Sequence, residues 1–151
     1  MKDNHALILR IVKNAIVLAL YVSLTFASST LAFGANGGIQ FRASEILVLL
    51  CFFNRDYVIG ITLGCFLSNI FSPYFPWDLV IGTTATLISC LLISYSKHLF
   101  IATLFPVLIN GFAIGAELTF LYNYNEYGFM LTSTFILLGE LIAVSVIGYL
   151  C

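Results

Sequence analysis

Gly34-Ala35-Asn36-Gly37-Gly38-Ile39-Gln40-Phe41-Arg42-Ala43-Ser44-Glu45 lies between two long apolar runs, and the reading of this stretch decides the fold. Nowhere else do three glycines, an arginine and a glutamate crowd together. Gly34, Gly37 and Gly38 let a loop fold tightly and bring backbone close to a ligand. Arg42 and Glu45 stand three residues apart and share a face if a helix begins there. Two readings follow. In one, the stretch is an ordinary inter-helix turn and Glu45 is a first-turn carboxylate matched to the helix dipole. In the other, the loop is held over a pocket by the helices around it.

Those helices follow from composition. The 151 residues are 61% hydrophobic and 9% charged, with a mean hydropathy of +1.06, whereas a soluble domain carries roughly a quarter charged residues. An all-α integral membrane bundle in one domain is therefore expected. Six transmembrane helices are placed at about 7–32, 41–53, 57–71, 79–95, 99–122 and 128–150, with both termini on the same side. A net charge of −1 offers no basic surface for nucleic acid. No G-x-x-x-x-G-K-[ST] phosphate loop occurs, so ATP-driven work would fall to other chains and no cofactor is expected on this one. The four cysteines (Cys51, Cys65, Cys90 and Cys151) sit in apolar runs without C-x-x-C spacing and read as small buried hydrophobes. Basic residues followed by an apolar run mimic a signal peptide at the start. However, Asn14 to Phe33 carries no charge, which is longer than a signal core, and the segment reads as a retained first helix.

Along the first helix Ala15, Ala19, Ser23 and Ala27 recur every fourth residue. Such a stripe admits close approach by another helix, either of this chain or of a partner subunit. The second helix is too short, at about 20 Å, to cross a hydrocarbon core of about 30 Å. It is therefore sunk into the protein, or the loop before it dips inward, and irregular backbone at that depth requires burial or a cavity. Gly60 and Gly64 have the spacing of a close-packing face. Trp77 suits an interfacial anchor or a stacking platform, and Asp78 is a candidate cap for the fourth helix. Lys2, Arg10, Lys13, Arg55 and Lys97 fall at one end and Arg42 at the other. Lys-rich ends face the cytoplasm, so the glycine loop, the Trp77 loop and the Tyr124 loop face outward together.

Ionisable groups at membrane depth cost about 2.5–3.5 kcal/mol each on insertion scales and mark pathways, pairs or ligand sites. Glu140 lies roughly 18 Å below the outer end of the sixth helix, and Asn110 about as deep in the fifth. Glu117, two turns above Asn110, shares its face. An outward-open pocket between these two helices is expected, with Asn110 and Glu140 low, Glu117 high, and Asp78, Asn69, Arg42 and Glu45 at the mouth. Carboxylates outnumber cations there, which suits a ligand rich in N–H donors or positively charged. No Ser-His-acid constellation or H-E-x-x-H is evident, so an enzyme is not expected. Two other classes compete with ligand capture: a membrane-embedded enzyme using Glu117 and Glu140 on a lipid-type substrate, and a self-contained proton-coupled carrier.

At Gln40-Phe41-Arg42-x-Ser44-Glu45 the chain resembles the QueT family of substrate-binding (S) components of energy-coupling factor (ECF) transporters. The likeness continues through Gly60-x-x-x-Gly64-Cys65-x-x-x-Asn69, Asp78-x-x-x-Gly82-Thr83-x-Ala85-Thr86 and Phe105-Pro106-Val107-x-x-Asn110-Gly111-x-x-x-Gly115. The resemblance implies a six-helix protein of the bacterial plasma membrane that captures queuosine precursors, in particular 7-aminomethyl-7-deazaguanine, outside the cell. It implies a membrane scaffold (T) subunit and two cytoplasmic ATPases that use ATP. It also implies docking of the scaffold at the Ala15-x-x-x-Ala19 position of helix 1. For such a ligand, Glu140 or Glu117 would take the ring edge, the other carboxylate or Asp78 the ammonium, and Asn110 the carbonyl. Phe41, Trp77 or Tyr124 would stack on the ring.

Overall fold

The computed structural model describes residues 2–28, 42–121 and 128–150. The glycines of the opening stretch, Phe41, Tyr124 and Cys151 lie outside the described residues. Within them the chain is all-helical, without a strand. Helix α1 is Lys2–Ala27 and α2 is Ala43–Phe53. They are followed by α3, Tyr57–Ile70, and α4, Trp77–Tyr95. The last two are α5, Leu99–Leu121, and α6, Gly128–Gly148. Four of the six (α1, α4, α5 and α6) are long and apolar enough to cross a membrane.

Two boundaries differ from the expectation. Helix α1 begins at Lys2 rather than near Leu7, because hydropathy marks where the apolar run starts, not where backbone hydrogen bonding does. Helix α4 begins at Trp77, with Pro76 at its N-cap. Asp78 is therefore not a cap; it lies in the first turn, where its carboxylate turns inward and is buried.

Helix α2 settles the question raised by its length. It starts as a tight 3-10 segment, Ala43–Leu49, runs into a single α turn, Leu50–Phe53, and touches each of the other five helices. It is sunk into the protein as a central peg, and Ser44, Glu45, Val48, Leu49 and Cys51 are all buried. Around it, α1 packs on α3, α3 on α4, α4 on α5 and α5 on α6.

Burial is inverted relative to a water-soluble fold. Leu7, Ile16, Val80, Phe100, Leu108 and Met130 face outward, while Arg42, Glu45, Asp78, Asn110, Glu117 and Glu140 are buried. In hydrocarbon the outer face gains nothing from being polar, and polar side chains find partners only inside. The chain is a membrane helical bundle. Its larger apolar core gathers Tyr21, Val48, Cys51, Ile61, Cys65, Cys90 and Ile93; a smaller one gathers Ile114, Leu118 and Ile136 with Tyr74 against it. Cys51, Cys65 and Cys90 are free buried thiols.

Two glycine pairs set the helix spacing. A Cβ at Gly60 would lie 2.7 Å from the Asn14 carbonyl oxygen, and one at Gly64 would lie 2.9 Å from Tyr21 Cβ, so both glycines receive α1. At Gly111 and Gly115 the intruders would be Leu137 at 2.4 Å and Ser133 at 2.2 Å, so this pair receives α6. The Ala15, Ala19 and Ser23 side of α1 is left exposed.

One end of the bundle collects the basic residues. Arg10 pairs with Asp56 at 2.7 Å. Arg55 donates to the Ser94 carbonyl at 3.2 Å and stacks over Tyr95, bringing the Lys97 turn to the same end. Arg42 stands at the opposite end of the short helices α2 and α3, beside Asn69.

Candidate functional site

The polar interior is contributed by all six helices and falls into an outer and an inner group. The outer group is built where α2, α3 and α4 meet. The Arg42 guanidinium donates to Asp78 Oδ2 at 3.2 Å and Oδ1 at 3.4 Å, and to Asn69 Oδ1 at 3.5 Å. Asn69 in turn donates from Nδ2 to the Asp78 backbone carbonyl at 3.0 Å. The asparagine thus fixes both the start of α4 and the guanidinium. Such a pair out of water offsets desolvation only when its remaining hydrogen-bonding positions are filled.

The inner group is centred on Asn110 of α5. Its amide nitrogen donates to Glu45 Oε2 at 3.5 Å and to Glu140 Oε1 at 3.2 Å, tying two carboxylates to one side chain. The Tyr21 hydroxyl of α1 donates to the other oxygen of Glu45. One turn further along α1, Thr25 donates to Ser44 Oγ at 2.8 Å and so anchors the start of α2. All these charged and amide groups are at or below 5% exposure.

Sequence reasoning placed Glu45 at the mouth; the structure places it with Asn110 and Glu140 in the inner group. The cause is the depth of α2, whose first residues are already inside the bundle. The pocket was also expected between α5 and α6, with residues of the second, third and fourth helices at its mouth. Those helices close on each other at Gly111 and Gly115, and the carboxylates point instead into the interior they share with α1 to α4. Trp77 is 48% exposed and does not join the cluster. Glu117 is buried and lies within electrostatic reach of Asp78 and Arg42. Tyr21, Thr25 and Ser44 were missed as site residues. Asn14, Tyr21, Thr25 and Ser28 follow a helical ladder of polar-tipped side chains on α1, offset from its small-residue stripe, and that ladder was a legible signal.

What these groups leave unfilled matters most. Both oxygens of Glu117, Oε2 of Glu140 and Oδ1 of Asn110 are buried without a hydrogen-bond partner, as are the hydroxyls of Thr119, Thr132 and Ser133. All seven atoms belong to α5 and α6; single hydroxyls are also unmet at Thr62 of α3, Thr83 and Ser89 of α4 and Ser145 of α6, but every unmet carboxylate and amide atom among the described residues is on α5 or α6. A buried polar atom left unmet costs about 1–3 kcal/mol, so a cluster of them calls for an explanation such as a bound guest. Charge adds to the case. Among the described residues four carboxylates are buried (Glu45, Asp78, Glu117 and Glu140) against one guanidinium, Arg42. Asn110 departs from the expected role in one respect. Its donor nitrogen is engaged by two carboxylates, and the atom it presents is an acceptor.

Backbone geometry singles out the same two glutamates. Glu117–Leu121 and Leu141–Gly148 are wound as π-helix, so one widened segment begins at Glu117 and the other directly after Glu140. Widened turns of this kind concentrate at functional sites because they re-aim the neighbouring side chain.

The chain is 47% identical over 79 residues to the queuosine precursor transporter QueT of Lactococcus lactis subsp. cremoris. That alignment takes in 52% of this chain and 45% of the relative, so it spans about half of each. No solved structure matches. The description of the QueT transporter family matches residues 11–151. The chain belongs to the QueT transporter family.

Proposed function

We propose that this chain is the substrate-capture subunit of an ECF-type importer that takes up a queuosine precursor, 7-aminomethyl-7-deazaguanine, from outside the cell. The observation that carries the reading is the set of unmet buried acceptors on α5 and α6 in an interior with more carboxylates than cations. The ring edge of a deazaguanine offers adjacent N–H donors that one carboxylate accepts as a pair, and its aminomethyl group is a cation near neutral pH. Glu117, Glu140 and Asn110 Oδ1 suit those donors, and the hydroxyls of Thr119, Thr132 and Ser133 suit the ring carbonyl. The relative's name points to the same ligand class.

The basic end of the bundle is assigned to the cytoplasm by the positive-inside rule, which turns the Arg42 end outward in the plasma membrane. The exposed Ala15, Ala19 and Ser23 face of α1 is assigned to a scaffold subunit, and ATP hydrolysis to two partner ATPases. On this reading the chain is a carrier component and not an enzyme.

A binding titration of the detergent-purified chain tests the proposal. The deazaguanine should bind tightly, guanine more weakly and unrelated vitamins not at all. Glu140→Gln should weaken binding at least about tenfold, about 1.4 kcal/mol. Unaltered affinity in that variant would remove Glu140 from the site, and a preference for an unrelated vitamin would end the substrate reading.

A further inference from the structure

Glu45 Oε2 and Glu140 Oε1 accept from the same Asn110 nitrogen, so two carboxyl groups from different helices converge on one neutral donor in the bundle interior. The groups facing them can be named element by element. Tyr21 of α1 donates a neutral O–H to Glu45. Arg42 of α2 is paired with Asp78 of α4 at 3.2 Å. Cys65 of α3 is a buried thiol. Glu117 of α5 adds another carboxyl group rather than a cation. Two carboxylates gathered on one neutral amide and out of water repel each other, which favours one proton retained between them.

Resting on the substrate reading above, we propose that Glu45 and Glu140 share one proton while the site is empty and give it up when a cationic ligand enters. The pair thereby selects charged over neutral members of the ligand class. The exchange balances. The ligand brings one positive charge, the shared carboxyl proton leaves to solvent on the outer side, and the net charge of the interior is unchanged. Tyr21 is a positioning residue in this scheme, holding Glu45 at the Asn110 amide.

Isothermal titration of the full-length chain in detergent, run at one neutral pH in buffers of different ionisation enthalpy, counts the protons exchanged. The probes are 7-aminomethyl-7-deazaguanine and an otherwise identical deazaguanine with a neutral nitrile in place of the aminomethyl group. About one proton should be released with the cationic ligand and none with the nitrile. Glu45→Gln and Glu140→Gln should each abolish the release and shrink the preference for the cationic ligand by about tenfold or more, whereas Arg10→Ala, an exposed change far from the polar interior, should leave the release intact. Tight binding of the cationic ligand by the unaltered chain with no proton exchanged overturns this inference alone. So does release that survives both inner substitutions. Failure of both ligands to bind overturns the substrate reading, and this one with it. The measurement on the unaltered chain stands even where a variant does not fold.

Discussion

Two pairs of helices in this molecule meet through the same device and end differently. Helix α3 offers Gly60 and Gly64 to α1, and α5 offers Gly111 and Gly115 to α6. On the first seam the polar atoms brought in are matched. Asn14 donates to the Arg10 carbonyl at 3.0 Å and accepts from the Gly60 N–H at 2.7 Å, and Tyr21 is bonded to Glu45. On the second seam, close approach delivers Asn110, Glu117, Thr132, Ser133 and Glu140 to the interior with acceptors and hydroxyls unmet. Tight helix contact therefore says nothing by itself about function. The hydrogen-bond balance differs between the two seams, and it is that difference which bears on the proposed binding role of the second.

The largest effect is expected from wedging the matched seam. Gly64→Ile would drive a branched side chain into Tyr21 and the Leu18 carbonyl, 2.9 and 3.3 Å from a Cβ. Overpacking of this kind costs about 1–3 kcal/mol, more where backbone must move. Thermal unfolding in detergent should shift down accordingly.

A crossed pair of smaller changes is sharper. Asn14→Ala strands the Gly60 N–H and should cost about 1 kcal/mol of stability while leaving affinity unchanged. Ser133→Ala removes an unmet hydroxyl, so stability should hold or rise while affinity for the deazaguanine falls severalfold. The same direction in both readouts for both variants would erase the distinction between the seams. The smallest effect belongs to Arg10→Ala, whose exposed bridge to Asp56 should contribute at most about 1 kcal/mol and vanish in high salt.

Much of this was legible in the sequence, and the gaps have physical causes. Apolar run lengths gave six helices, because hydrocarbon thickness imposes a length on each crossing. Gly60 and Gly64 announced a seam by spacing alone. Glu117, Asn110 and Glu140 stood out because charged and amide side chains are costly at depth. Depth itself was misjudged for Glu45. Counting from the membrane surface assumes that a helix starts there, and α2 starts inside. Asp78 was read as a cap since a first-turn aspartate usually is one, but its partner Arg42 is 36 positions away in the chain and unreadable from local pattern. Tyr21 was hidden for a similar reason. A tyrosine in an apolar run counts toward hydropathy, and only the folded bundle shows where its hydroxyl goes.

Helix α1 is the least enclosed of the long helices, with 11% of its spanning window buried against 39–44% in α4, α5 and α6. It nevertheless supplies the phenol that grips Glu45 and the threonine that holds Ser44. One rigid rod thus presents alanines to the membrane on one flank and a hydrogen bond to the central peg on the other. A neighbour that tilted or rolled this rod would pull on Glu45 through that phenol, so the most exposed of the long helices is coupled by one hydrogen bond to the polar interior.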